Sequence, residues 1–198
     1  MELMKSYRLR DIEDEKMKKF ELTAEYVTNI FGKKLFRIKA LVEFGNVKEG
    51  DLGGFVEKES NIDDDGNAWV SGNAQVFGNA KISGNAQVYG NAQVFGNAWI
   101  SGNAQVYGNA WVSGNLDYAI VGGFGSEQQT ITFFRQKDGS VGAKCGFFYG
   151  TLEEFRAKVK ETHKDSKYAQ EYLMIADLME LHFAGGCDGN DKDNHSCL

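Results

Sequence analysis

Between Gly66 and Asn115 the chain repeats one six-residue phrase, Gly-Asn-Ala-X-(Val/Ile)-X, eight times and begins a ninth. Aliphatic residues therefore recur every sixth position from Val70 to Val112, each with an alanine two places before it. That spacing is neither the 3.6-residue period of an α-helix nor the 3.5-residue period of a coiled coil. Within a unit the alanine and the aliphatic residue fall on one side and the X residues on the other, the alternation of a short strand. Gly-Asn follows, and both residues tolerate the left-handed backbone of a tight corner. Three such sides predict a triangular coil of eighteen residues, in which Val88 points inward between Val70 and Val106.

The flanks carry other patterns. Met1 to Lys19 is a mixed-charge segment that reads as helical or frayed. Glu21–Val27 and Leu35–Leu41 alternate like strands and join through Phe31-Gly-Lys-Lys as a hairpin, with Phe36 and Ile38 facing one way and Arg37 and Lys39 the other. Gly50-Asp-Leu-Gly-Gly-Phe-Val leads into an imperfect first coil near Gly53, with Gly54 twelve residues before Gly66 and Asn61 six before Asn67. Leu116 to Val121 continues the repeat phase for about one strand. Thr130–Arg135 and Val141–Phe148, separated by Lys137-Asp-Gly, read as a second hairpin. Thr151-Leu-Glu-Glu has capping-box spacing and opens a helix burying Leu152, Phe155 and Val159. A second helix, Lys167 to Phe183, places Tyr168, Tyr172, Ile175 and Met179 on one stripe and stops at Gly185-Gly186.

The expected fold is therefore mainly β: a short parallel β-helix of three strands and eighteen residues per coil. An N-terminal β-hairpin and a C-terminal α+β domain with two helices flank it. The expected segments are 1–52, 53–121 for the β-helix, 122–184, and a tail over 185–198 whose composition favours disorder.

Charge separates these segments. Twelve basic and fifteen acidic residues precede Gly66, nine and thirteen follow Asn115, and Lys81 is the only charge between. A net charge of −6 argues against phosphate-held nucleic acid binding. The chain lacks both an apolar run long enough to span a membrane and a signal-peptide pattern, which favours the cytosol and no membrane partner. Cys145, Cys187 and Cys197 form no C-x-x-C pair and are an odd number.

Val70 with Ala74, Val76 with Ala80 and Ile82 with Ala86 resemble the hexapeptide repeat of left-handed parallel β-helices, and the left hand is implied by that resemblance alone. Gly50-Asp-Leu-Gly-Gly-Phe-Val-Glu before the hexads, then Gly146-Phe-Phe-Tyr-Gly-Thr-Leu-Glu-Glu-Phe and Glu161-Thr-His, is similar to a family of phage- and prophage-encoded hexapeptide-repeat proteins. The likeness runs from Phe20 to Phe183 and implies a mobile-element origin, a host cytoplasm and a role against host defences. The repeat block also resembles hexapeptide acyltransferases, which are trimers with a histidine as general base, and carbonic anhydrases of the same fold, which hold zinc on three histidines.

No histidine, cysteine, aspartate or glutamate lies in the repeat block, so neither chemistry carries over to the coils, and no cofactor or metal is expected. His163 reads as a residue near a helix C-terminus, and Asp188, Asp191, Asp193 and His195 miss the calcium-loop spacing. What the coils display is aromatic: Trp69, Phe77, Tyr89, Phe95, Trp99, Tyr107 and Trp111 occupy outward positions. Such rings need a cover, either sister subunits of a homo-oligomer (a trimer by resemblance), the chain's own flanks, or a foreign partner. The leading expectation is a non-catalytic binding or assembly protein that captures a host protein or small metabolite. An acyltransferase-like enzyme and a phage structural component are the alternatives.

Overall fold

The computed structural model describes residues 18–184. Alternation and corner chemistry place the hexads as eight two-residue strands: β4 (Trp69–Val70), β5 (Gln75–Val76), β6 (Lys81–Ile82), β7 (Gln87–Val88), β8 (Gln93–Val94), β9 (Trp99–Ile100), β10 (Gln105–Val106) and β11 (Trp111–Val112). They stack in parallel, β4 on β7 on β10, β5 on β8 on β11, and β6 on β9, forming the three faces of a solenoid. Val88 pairs with Val70 below and Val106 above, and its side chain is wholly buried. Every alanine and aliphatic residue of the hexads joins one continuous core. The corners need glycine for two reasons. Gly66 has φ 71°, and a Cβ there would lie 2.5 Å from the Gly84 carbonyl oxygen of the next coil. Beside the glycines, asparagine amides bond coil to coil, Asn67 to Asn85 and Asn85 to Asn103, each at 3.1 Å.

A short stack of parallel strands leaves unpaired backbone groups at both ends, and side chains from the flanks meet them. β1 (Phe20–Thr28) and β2 (Lys34–Ala40) form an antiparallel hairpin that pairs with β3 (Leu52–Val56), and β3 pairs in parallel with β5. Just before β1, the buried Lys19 ammonium donates to the carbonyls of Asp63 (2.7 Å) and Ala68 (2.9 Å). At the far end the Thr132 hydroxyl accepts from the Gln105 amide at 2.9 Å, and Asn115 Oδ1 from the Trp99 amide at 2.8 Å. The Asp117 carboxylate accepts from the Ser113 and Gly114 amides and pairs with Arg135 at 3.1 Å. Phe134 completes the plug by entering the solenoid core.

The remaining elements form a second, smaller core. β12 (Tyr118–Val121), β13 (Ile131–Arg135), β14 (Val141–Cys145) and β15 (Phe148–Thr151) make an antiparallel sheet in that order. α1 (Leu152–His163) and α2 (Lys167–Ala184) pack on it through Leu152, Phe155, Val159, Tyr172, Ile175 and Met179. The capping box is formed: Thr151 Oγ1 accepts from the Glu154 amide at 3.2 Å and Glu154 Oε2 from the Thr151 amide at 2.7 Å. Among the described residues no helix is long and apolar enough to cross a membrane.

Four local expectations are corrected. Leu116 to Val121 does not continue the coil: Asn115–Asp117 is a 3-10 turn, Leu116 is 75% exposed, and Tyr118–Val121 pairs with β13. The first coil is two residues longer than the others, because Val56 aligns with Val76 and Ile62 with Ile82, whereas Val70 aligns with Val88. The extra length sits between Ile62 and Val70, around the Asp63-Asp-Asp run, and Asn61 is a buried cap on the Ala80 carbonyl rather than a member of an asparagine ladder. In β2 it is Leu35, not Phe36, that is fully buried along with Ile38, since a register shift near Arg37 lets both faces of the strand pack. Tyr168 is 42% exposed and stays off the α2 core stripe, where Ala169 replaces it. Met1 to Met17 and the segment from Gly185 onward lie outside the described residues.

Candidate functional site

The outward aromatics do not form one surface. On the β5–β8–β11 face, Phe77 and Phe95 stack at 5.1 Å with planes 5° apart, and Trp111 meets Phe95 edge-on at 5.0 Å. Phe31, from the turn between β1 and β2, lies over all three rings at 5.7, 5.8 and 6.1 Å. Phe77 is thereby 3% exposed, packed with Leu35 and Phe55 of the same chain. On the β4–β7–β10 face, Trp69 is buried under Phe20 and Phe44. Tyr89 and Tyr107 meet at 4.5 Å, and Tyr149 of β15 closes on Tyr107 at 4.6 Å. Burial, with Tyr107 as a smaller contributor, pushes the Tyr89 phenol up to about 12. Trp99, on the third face, is 54% exposed and donates its indole N–H to Ser83 Oγ at 2.7 Å. Phe77, Phe95, Trp111, Trp69 and Tyr107 thus each meet a ring from the chain's own flanks.

A concave site lies elsewhere, between the loop before β13, the β14–β15 turn and the two helices. It is a cavity of about 260 Å³. Its floor is aromatic: Phe155 of α1 touches Phe148 at 5.7 Å and Tyr172 of α2 at 6.0 Å, and the His163 ring lies 5.3 Å from Tyr172. Val159, Thr162 and His163 line it because they follow Phe155 on one helical face. Ser126, Glu127, Gln129 and Lys158 supply a polar rim. The Lys158 ammonium is shared with Glu161 at 2.8 Å.

Burial pushes the Cys145 thiol up, against the opposing pull of the Lys144 charge, so it stays protonated at neutral pH and is a poor nucleophile. Its sulfur sits 3.8 Å from Gln129 Oε1. Burial also raises the Tyr172 phenol, reinforced by Cys145, Glu127 and Glu171. An apolar floor with a few convergent polar groups is the usual form of a small-molecule pocket.

Of the described histidines, His163 alone lines this cavity, as the last residue of α1. His182 packs on Phe183 at 4.8 Å, and His195 lies outside the described residues. The polar Ser126–Gln129 loop carries no sequence motif; Gln128 takes φ 50°, an unusual backbone for a non-glycine residue, and just before the loop the Gly125 amide donates to Glu171 of α2 at 3.0 Å. Phe148, Phe155 and Tyr172 carry core spacing, which hides the fact that one side of their cluster stays open.

The stacked coils, closed by flanks of the same chain, make this a repeat β-helix protein. Its hexads match the YdcK β-solenoid repeat over residues 74–90, 86–102 and 104–116, from the second face of the solenoid to the turn that ends it. Among curated proteins, none matches the chain.

Proposed function

We propose that the protein is a non-catalytic binding protein in which the β-solenoid is a rigid scaffold and the C-terminal cavity captures a small metabolite. The observation that carries this reading is the cavity itself, an aromatic floor of Phe148, Phe155 and Tyr172 beneath a rim of Glu127, Gln129 and Lys158. Covering of the solenoid aromatics by the chain's own hairpin and sheet moves the centre of interest from the coils to this module. Similarity of the segments Gly50–Glu57, Gly146–Phe155 and Glu161–His163 to phage and prophage hexapeptide-repeat proteins supports work in a host cytoplasm, as a counter to host defence. Association of identical copies belongs to the same reading.

The test is capture from a small-molecule extract of bacterial cells, with release by denaturation and mass spectrometry. Thr162→Trp places an indole at the exposed rim of the cavity and should abolish capture while leaving the circular dichroism spectrum unchanged. Equal capture by that variant, or none by the parent, refutes the cavity reading. Thiol release from acyl-CoA donors would instead bring the acyltransferase class to the front.

A further inference from the structure

Helix α2 is apolar on two opposite sides. One side faces the core through Ala169, Tyr172, Ala176, Met179 and Phe183. On the other, Met174, Leu178 and Leu181 are 71%, 57% and 74% exposed. Extending their 4–3 spacing backwards reaches Glu171 and Lys167, which pair with each other at 3.3 Å. Lys167, Glu171, Met174, Leu178 and Leu181 thus follow alternating steps of four and three, the seam of a coiled coil. With about 100° per residue, that seam lies diametrically opposite the buried stripe. Among the described residues nothing covers this second apolar stripe, and three large exposed side chains in a row are costly on a monomer.

We propose that this seam is where a second copy of the chain docks, with the two α2 helices parallel. The direction follows from charge. A parallel seam sets Met174, Leu178 and Leu181 against their own counterparts and leaves the Lys167–Glu171 pairs at the open end. It also sets Asp177, beside the seam, against His182 of the partner helix, the five-residue offset at which flanking side chains meet in parallel coiled coils, where an imidazole N–H can donate to the carboxylate. The antiparallel register that buries the same three side chains centres on Leu178 and brings the two Asp177 carboxylates side by side, a like-charge contact. Asp177 is 71% exposed on its side chain and already pairs with Arg156, so its second oxygen remains presentable. This surface is independent of the cavity reading, because Tyr172 and the cavity lie toward the core side of α2.

Sedimentation analysis of the full chain across a concentration series tests it. The parent should reach twice the 22.0 kDa chain mass. Leu178→Asp, at a position already more than half exposed, should stay at the single-chain mass with unchanged circular dichroism. His182→Glu should weaken association at least tenfold, and His182→Lys should not weaken it. A parent that remains a monomer at all concentrations overturns the proposal, as does Leu178→Asp retaining the parent's mass. Equal association of His182→Glu and His182→Lys overturns the parallel direction. Metabolite capture by Leu178→Asp should persist, which separates the fate of this surface from that of the cavity.

Discussion

Replacing Phe77 with alanine removes a ring that is 3% exposed, stacked on Phe95 at 5.1 Å and covered by Phe31 at 5.7 Å. A phenylalanine buries about 150–250 Å². At about 25 cal/mol per Å² that corresponds to roughly 4–6 kcal/mol before partial collapse of the site, in line with the ~3–5 kcal/mol seen for Phe→Ala in cores. With an m-value near 2 kcal/mol per M, the urea midpoint should fall by about 2 M. Phe95, which is half-buried, should cost roughly half as much on replacement by alanine, and Phe31, 54% exposed, about 1 kcal/mol. The order Phe77 > Phe95 > Phe31 is the signature of an intrachain stack, and the oligomeric mass should be the same for all three variants. Trp111, which Phe31 touches at 6.1 Å, offers a local fluorescence report on whether the hairpin turn has moved. If Phe77→Ala kept the parent's urea midpoint but lost subunits, the rings would be an interface between copies and the argument from the hairpin cover would fail.

Two further outcomes follow from the solenoid. Val88→Asp places an unpaired carboxylate between Val70 and Val106, at a cost of several kcal/mol, so most of the β-signal should vanish at room temperature; a variant that melts like the parent would mean the strand phase is wrong. The Tyr89 phenol is raised to about 12, so it is protonated more firmly in the fold than in the unfolded chain. Its contribution is complete below about pH 10 and is lost as pH rises toward about 12; that interval corresponds to about 2.7 kcal/mol, which solvent screening of the partly exposed ring reduces to roughly 1–2 kcal/mol. Tyr89→Phe should flatten the decline in urea midpoint across that range, and an equally steep decline in the variant would show that Tyr89 is not responsible.

The solenoid was legible because its information is local and repeated. One hexad carries its own corner, its inward pair and its outward pair, so Val88 could be placed between Val70 and Val106 by counting. Elements with self-contained signals were equally readable, among them the Thr151 capping box and the Phe155–Val159 stripe. What escaped was long-range. Nothing near Phe31 says that it will lie across three rings between forty-six and eighty positions away. The longer first coil escaped because Asn61 sits at a repeat-like distance from Asn67 while doing different work on the Ala80 carbonyl. The cavity escaped for a related reason: packing residues and pocket-floor residues have the same spacing, and only the docking of the Ser126–Gln129 loop decides which side stays open.

The near-identity of the coils, set between two specialised ends, makes the distance between those ends adjustable in fixed steps. Inserting one hexad would turn the C-terminal module by a third of a revolution about the solenoid axis and advance it by about 1.6 Å, a third of the ~4.8 Å coil spacing. Three hexads together would restore the original heading at one coil's greater reach. The capping groups, Lys19 on one side and Thr132, Asn115 and Asp117 on the other, each bond only to the coil at their own end and would keep their backbone partners after either insertion. Phe31, which reaches from the N-terminal hairpin to Trp111 on the last coil, would instead meet a different side of that coil after a single one. Chains of this design can therefore change length readily by whole turns, whereas the heading of the C-terminal module is held by the arithmetic of three.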